Sequence, residues 1–144
     1  MIATVLEVNV IVSGFTSNQG APADLIERWL SREFQLILSE HILDGVARAW
    51  NKAWFQERYD ANEAQRALGL LRTRATIVVP VSVVHGVAPD WEDDLVLTTA
   101  VAGNATYLVT GDRRFRAVGR HGTITFCSPR EFALILGRLP RSLA

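Results

Sequence analysis

The chain has 144 residues, of which 49% are hydrophobic and 21% charged, and this composition fits one globular domain with a sizeable core. Its 15 basic and 15 acidic residues cancel, so no overall basicity points to a nucleic-acid partner. The single cysteine, Cys127, excludes an internal disulfide, and no apolar run reaches the ~20 residues that span a bilayer. The N-terminus lacks the basic start of a signal peptide, so we expect one cytoplasmic domain over residues 1–144.

Strand and helix patterns alternate along the whole chain. In the first half, we predict a strand at Ile2 to Leu6, a loop at Ser13 to Gly20, a helix from about Pro22 to Arg32, a strand at Phe34 to Leu38, and helices that begin at Ser39 and Asp60. In the second half, we predict strands at Thr76 to Val79, Tyr107 to Val109 and Thr123 to Phe126, and helices from Asp93 or Asp94 to Ala102, from Asp112 to Val118, and from Ser128 onward. The strands are apolar without alternation, which is typical of a sheet covered by helices on both faces. The sequence therefore predicts a three-layer α/β/α domain with a mainly parallel sheet.

Capping residues mark three of these helix starts. Ser39 is a natural N-cap for the helix that follows the second strand. Asp60 and Glu63 make a start that resembles a capping box. Ser128 and Glu131 form the same pattern with a proline in the first turn, which indicates the beginning of the last helix.

Acidic residues stand where predicted strands end. Glu7 follows the first strand, Asp112 follows the fourth, and an acidic run from Asp90 to Asp94 enters the helix before the fourth strand. Because the carboxyl ends of parallel strands line one crevice, these acids can meet although they lie far apart in the sequence. Crowded carboxylates need a compensating cation, and oxygen-only ligands suit Mg²⁺ or Mn²⁺. The pattern therefore predicts a metal-dependent site that cleaves phosphodiester bonds.

Four blocks of sequence carry a family resemblance through their order and spacing. The blocks are Glu7 to Ser13, Leu36 to Leu43, Asp90 to Ala102 and Leu108 to Asp112. Together they resemble the PIN-domain ribonucleases, especially the VapC-like toxins of prokaryotic toxin–antitoxin systems. The last block matches the family's Leu-Val-Thr-Gly-Asp without change. The resemblance covers nearly the whole chain and implies a PIN-like domain.

The resemblance implies a site of about four acids that hold Mg²⁺ or Mn²⁺ and cleave RNA with metal-activated water. The catalytic and metal-binding residues that it implies are Glu7, Asp94 and Asp112. The supporting residues that it implies are Asn9, which would orient the first acid, Thr110, which would hydrogen-bond within the site, and Asp90 and Asp93, which would assist from the acidic run.

Two of the four acidic positions depart from the family pattern. Glu7 stands at a family aspartate and is one methylene longer, and Val8 follows it where the family has Thr or Ser. The family's helical glutamate aligns with Gly45, which offers no side-chain ligand. The neighbouring Asp44 is a supporting candidate only if the helix start rotates or shifts, since adjacent helical residues point ~100° apart.

Two functions follow from this pattern and its departures. The first is a metal-dependent endoribonuclease, a toxin with RNA as its substrate and an antitoxin protein as its partner, weakened by Glu7 and Gly45. The alternative is a catalytically inactive PIN-like domain that binds RNA or a protein. A phosphatase or receiver domain would want an aspartate after the first strand and a lysine late in the chain. Here Glu7 follows the first strand instead, and the only lysine, Lys52, does not lie late in the chain.

Basic residues cluster near the end of the chain. From Arg113 onward there are seven arginines and one carboxylate, Glu131. Three of these arginines lie beside Asp112, namely Arg113, Arg114 and Arg116. They could bind RNA phosphates, since arginine binds phosphate in a bidentate manner. The sequence leaves a solvated helix face open as the alternative.

Tryptophans on the early helices suggest association. Trp29, Trp50 and Trp54 offer more aromatic surface than a small core readily hides, which predicts a homodimer or an antitoxin-binding face. Trp91, inside the acidic run, could stack on an RNA base, with loop packing as the alternative.

Overall fold

Six strands form one sheet in the computed structural model, which describes residues 1–139. The strands are Ala3–Leu6 (β1), Gln35–Leu38 (β2), Thr76–Ile77 (β3), Tyr107–Val109 (β4), Arg120–His121 (β5) and Ile124–Cys127 (β6). The helices are Val8–Thr16 (α1), Ala21–Leu30 (α2), Glu40–Trp50 (α3), Ala53–Gln56 (α4), Ala61–Arg74 (α5), Trp91–Ala102 (α6), Arg113–Arg116 (α7) and Pro129–Arg138 (α8). Residues 140–144, the end of the domain predicted over residues 1–144, lie outside the described part.

The strand order places a switch point beside the first strand. The order is β3-β2-β1-β4-β6-β5, and every pairing in the described sheet is parallel except that of β5 with β6. β1 pairs with β2 on one side and with β4 on the other, where Leu6 stands opposite Val109. The chain thus fills one half of the sheet first and then returns to fill the other half. In open α/β sheets, ligands bind at the carboxyl ends of the strands at such a switch point.

The core lies on both faces of the sheet. Thr4, Val5 and Leu6 of β1 are fully buried, and Leu36–Leu38 of β2 are nearly so. Because successive side chains of a strand point to opposite faces, helices must cover both. The predicted α/β/α architecture with a mainly parallel sheet is confirmed.

Capping residues begin helices as predicted, with one variation. The Ser128 N–H donates to the Glu131 carboxylate (2.9 Å), and the Glu131 N–H donates to the Ser128 hydroxyl (3.1 Å), which completes the capping box of α8. Ser39 takes the N-cap position of α3, but its hydroxyl shares a hydrogen bond with the Thr99 hydroxyl of α6 (2.7 Å). No helix within residues 1–139 combines the length and the apolarity needed to cross a membrane.

The segment after β1 is a helix, although the sequence predicts a loop from Ser13. The β-branched run Val8–Val12 favours a strand by propensity, and Gly14 is typical of a turn. Helix α1 nevertheless forms because it packs against α2 and α3 and buries Val10, Ile11 and Val12. Tertiary burial overrides local propensity here.

Other boundaries differ by a few residues. Helix α6 begins at Trp91 with Asp90 as its N-cap, not at Asp93 or Asp94. The third strand ends at Ile77. The short α4 and β5 were not predicted because elements of 4 and 2 residues carry no detectable periodicity.

Gly14 allows α1 to lie close to α2. A Cβ at this position would stand 2.7 Å from the Pro22 carbonyl oxygen and closer still to Ile26 Cγ1. Gly14→Ala should therefore lower the free energy of unfolding by about 1–3 kcal/mol. Gly69→Ala in α5, where nothing lies within 4 Å of an added Cβ, should instead raise it by about 0.5–1 kcal/mol. Urea unfolding measures the contrast, and equal shifts in the two variants would contradict the tight contact between α1 and α2.

Candidate functional site

Glu7 lies at the switch point, directly after β1 and at the start of α1. Its backbone N–H donates to the Val109 carbonyl oxygen (3.0 Å), which ties the ends of β1 and β4 together. Its Oε1 accepts a hydrogen bond from the backbone N–H of Asn9 (3.4 Å), so Glu7 also caps α1. The contact comes from the main chain of Asn9, and a role for its side chain in orienting the first acid stays a prediction.

Thr110 joins the first acid to the last. It is fully buried, and its hydroxyl donates to Glu7 Oε2 (3.3 Å) and accepts from the backbone N–H of Asp112 (3.1 Å). Its own N–H donates to the Cys127 carbonyl oxygen (3.0 Å), which anchors it to β6. One threonine thus links the ends of β1, β4 and β6 through hydrogen bonds, and its supporting role in a site stays a prediction.

The negative charge of Asp112 acts on Glu7. Asp112 begins α7 and accepts a hydrogen bond from the Arg114 N–H (2.8 Å). Burial raises the pKa of Glu7, hydrogen bonds from Asn9 and Thr110 lower it, and the negative charge of Asp112 raises it. The net pKa of Glu7 lies above its ordinary value, which indicates a carboxylate that a nearby cation would stabilise.

Asp94 is engaged in the loop that precedes α6. Its side chain is 7% exposed, and its carboxylate accepts hydrogen bonds from the backbone N–H groups of Gly86 (2.8 Å), Val87 (3.1 Å) and Ala88 (2.8 Å). Burial alone would raise the pKa of Asp94, but these hydrogen bonds bring it below its ordinary value. The Asp94 oxygens thus hold the loop in this structure, and a metal-binding role for Asp94 stays a prediction.

Asp93, the neighbour of Asp94, lies near the acids at the strand ends. Burial, followed by the negative charges of four neighbouring acids that include Glu7 and Asp112, raises the pKa of Asp93 to about 6. Asp90 caps α6 by accepting a hydrogen bond from the Asp93 N–H (2.8 Å). One step along a helix turns a side chain by ~100°, so adjacent acids enter different surroundings. We call Glu7, Asp93 and Asp112 the acidic cluster.

A cleft of about 350 Å³ opens beside the acidic cluster. The starts of α1 and α6 line it with Glu7, Val8, Asn9, Glu92, Asp93 and Val96, and the α3 region lines it with His41, Gly45, Arg48, Ala49 and Lys52. Asp44 is exposed and is not among the described residues that line the cleft. Because Gly45 faces the cleft, α3 is not rotated in the way that a role for Asp44 would require.

Gly45 and Val8 fit against each other in this cleft. A Cβ on residue 45 would stand 2.8 Å from Val8 Cγ2. Val8 thus occupies the space that a side chain at position 45 would enter. A larger residue at position 45 needs a smaller one at position 8.

The arginines of α7 differ in their surroundings. Arg113 and Arg114 are exposed beside Asp112. The Arg116 guanidinium donates to the Thr110 carbonyl oxygen (3.1 Å) and so braces the end of β4. Arg116 thus has a structural contact, and an RNA-binding role for Arg113, Arg114 and Arg116 stays a prediction.

Two of the four tryptophans are buried in the core, and the other two are exposed. Trp29 and Trp50 are 4% and 5% exposed, whereas Trp54 is 57% exposed with the Arg58 guanidinium carbon 4.4 Å from its ring centroid. Of the three tryptophans that were expected to leave some surface for association, Trp29 and Trp50 lie in the core and Trp54 is exposed. Trp91 is 68% exposed at the start of α6. A homodimer stays a prediction.

The fold and the site define an α/β protein with carboxylates at the switch point of a parallel sheet. The family model for the PIN domain matches residues 3–114, so the chain belongs to the PIN-domain family. This confirms the resemblance seen in the sequence. No curated protein matches the chain significantly.

A solved structure has a similar fold. It is a chain in the crystal structure of VapBC2 from Rickettsia felis bound to a DNA fragment from their promoter. The similarity has a TM-score of 0.59 at 15% sequence identity and covers 88% of this chain and 98% of that chain. At this identity, the similarity supports the fold alone.

Proposed function

We propose that this PIN domain is a metal-dependent endoribonuclease of the cytoplasm and the toxin of a toxin–antitoxin pair. The observation that carries the proposal is the acidic cluster at the switch point, where Thr110 bridges Glu7 and Asp112. PIN domains are generally nucleases, which supports phosphodiester cleavage. The fold shared with a chain of VapBC2 supports an antitoxin as the protein partner.

The acidic cluster fits a hydrated divalent cation. Glu7, Asp93 and Asp112 carry like charges that repel one another, and a bound cation would relieve this repulsion. Within residues 1–139, no three His, Cys, Asp or Glu side chains form a group that could hold a metal ion by themselves. Mg²⁺ needs no such cage, because it keeps several waters and binds through one or two carboxylates plus substrate phosphates. Mg²⁺ or Mn²⁺ held there would lower the pKa of a bound water and neutralise phosphate charge.

The chain's own residues position the carboxylates before substrate arrives. Glu7 receives hydrogen bonds from the Asn9 main chain and the Thr110 hydroxyl, so its longer side chain is held in place. Asp112 is held by the Arg114 N–H. A carboxylate fixed in advance does not have to be ordered during the reaction, which favours catalysis.

Cleavage of a labelled single-stranded RNA tests the proposal. The wild type should cut the RNA slowly and only with Mg²⁺ or Mn²⁺, and Asp112→Asn should reduce the rate about 10²-fold or more. Arg32→Gln, at the amino ends of the strands, is a control that should cleave at the wild-type rate. Metal-independent cleavage, or full activity in Asp112→Asn, would contradict the proposal.

A catalytically inactive PIN-like domain that binds RNA or a protein is the second candidate. The contact between Val8 and Gly45 favours it, because that contact leaves no space for a fourth carboxylate. In this case the wild type would bind RNA or its partner without cleaving RNA under any metal condition.

A further inference from the structure

Helix α3 presents basic residues to the cleft. His41, Arg48 and Lys52 line it, with Lys52 just beyond the end of the helix. Arg48 follows His41 by seven positions, which returns it to the same helix face to within ~20°. Gly45 lies between them and contributes no side chain. We call His41, Arg48 and Lys52 the basic wall, and it lies in the same cleft as Glu7 and Asp93.

The protein itself does not neutralise this wall. The ion pairs within residues 1–139 engage Arg28, Arg58 and Arg72, and include neither Arg48 nor Lys52. Arg48 is exposed, and its Nε makes a long contact of 3.4 Å with the main-chain carbonyl oxygen of residue 44. Both cations are therefore available to an anionic ligand.

A ligand for this cleft has to satisfy two opposite demands. The basic wall attracts negative charge directly, whereas the acidic cluster accepts an anion only when a divalent cation lies between them. A polynucleotide meets both demands, because its phosphates repeat along the chain and several can be held at once. An acidic protein segment would satisfy the basic wall alone.

We propose that Arg48 and Lys52 bind the backbone phosphates of single-stranded RNA beside the phosphate that the acidic cluster cleaves. This inference rests on the proposed ribonuclease function and assigns the surface that holds the substrate. The RNA lies along α3 in the cleft that Gly45 and Val8 also line.

Binding of fluorescein-labelled oligouridine, measured by anisotropy in Mg²⁺ at several salt concentrations, tests this path. Every protein carries Asp112→Asn so that the RNA stays intact. Arg48→Gln combined with Lys52→Gln should weaken binding about 10-fold and make the dependence of log Kd on log salt shallower by about 1.4, because two phosphate contacts on a single strand contribute ~0.7 each.

The matched control removes the same charge elsewhere. Arg32→Gln combined with Arg74→Gln changes two exposed arginines that line a separate cleft at the amino ends of the strands. Affinity should change by less than about 2-fold, since a phosphate contact there is not expected. Thermal melts of both double variants verify that each remains folded.

The outcomes separate this inference from the proposed function. Normal RNA binding with unchanged affinity and slope in the Arg48 and Lys52 variant would overturn the RNA path and leave the ribonuclease proposal intact. If the parent protein binds no RNA at all, both proposals fall. If the variant loses binding of polyglutamate while RNA binding is unchanged, the basic wall serves an acidic protein segment and the RNA path is wrong.

Discussion

Asp94→Asn should lower the free energy of unfolding by about 2–3 kcal/mol at pH 7. The Asp94 carboxylate accepts hydrogen bonds from the main-chain N–H groups of residues 86–88. Asparagine offers one acceptor oxygen and replaces the other with an NH₂ donor. At least one of these N–H groups would then face a donor, and a hydrogen bond to a charged group is worth about 1.5–3 kcal/mol.

The stabilisation by Asp94 depends on pH in a defined direction. The pKa of Asp94 in the folded protein lies below the ordinary value of 3.8, so the folded state binds this proton less tightly than the unfolded chain does. The stabilisation is therefore fully present above pH ~4 and is lost as the pH falls through the folded pKa. The stability difference between the wild type and Asp94→Asn should shrink in acid.

Asp93→Asn should have the opposite effect when no metal is bound. The pKa of Asp93 is raised from 3.8 to about 6, so the folded protein binds this proton more tightly than the unfolded chain does. Stability is lost as the pH rises from about 4 to about 6. Removing the charge should raise the free energy of unfolding by roughly 1 kcal/mol at pH 7, after allowance for solvent screening. Below pH ~4 the variant and the wild type should unfold alike.

Urea unfolding in EDTA at pH 7 and in acid measures both effects. Each variant is the control for the other, because Asp93 and Asp94 are adjacent and undergo the same substitution. Shifts of the same sign at pH 7 would contradict the division of the two residues between the acidic cluster and the loop.

Restoring the family's acids should raise cleavage fully only when Val8 is also made smaller. Gly45→Glu places a Cβ 2.8 Å from Val8 Cγ2, and overpacking of this kind costs about 1–3 kcal/mol. Val8→Ser removes the branched side chain and introduces a residue type that the family uses at this position. Glu7→Asp shortens the first carboxylate to the family's length.

The triple variant Glu7→Asp, Val8→Ser, Gly45→Glu should cleave single-stranded RNA about 10²–10³ times faster than the wild type in Mn²⁺, since one charge-stabilising group has an effect of this size. The double variant that retains Val8 should gain less activity and melt at a lower temperature. Adding Asp112→Asn should abolish the gain. A triple variant that stays folded and cleaves no better than an inactive wild type would favour the non-enzymatic alternative.

The strand ends and most helix starts could be predicted because the signals for them are local. β1 and β4 are short apolar runs followed by acids, and burial on both faces makes such runs uniformly apolar. Ser128 and Glu131 cap α8 from positions three residues apart. The positions of Glu7, Thr110 and Asp112 at the strand ends could be predicted for this reason, since each stands next to a strand that the sequence already defines.

Only the tertiary structure decided which side chains share the site. The rotation of α6 about its axis, which its packing against the sheet sets, brings Asp93 into the acidic cluster and sends Asp94 to the loop. The run Val8–Val12 becomes helical because α2 and α3 bury it. Val8 contacts Gly45, and the basic wall of α3 lies in the same cleft as Glu7. Both contacts join segments that are far apart in the chain. Local patterns cannot contain such contacts, because the packing of the whole domain determines which surfaces meet.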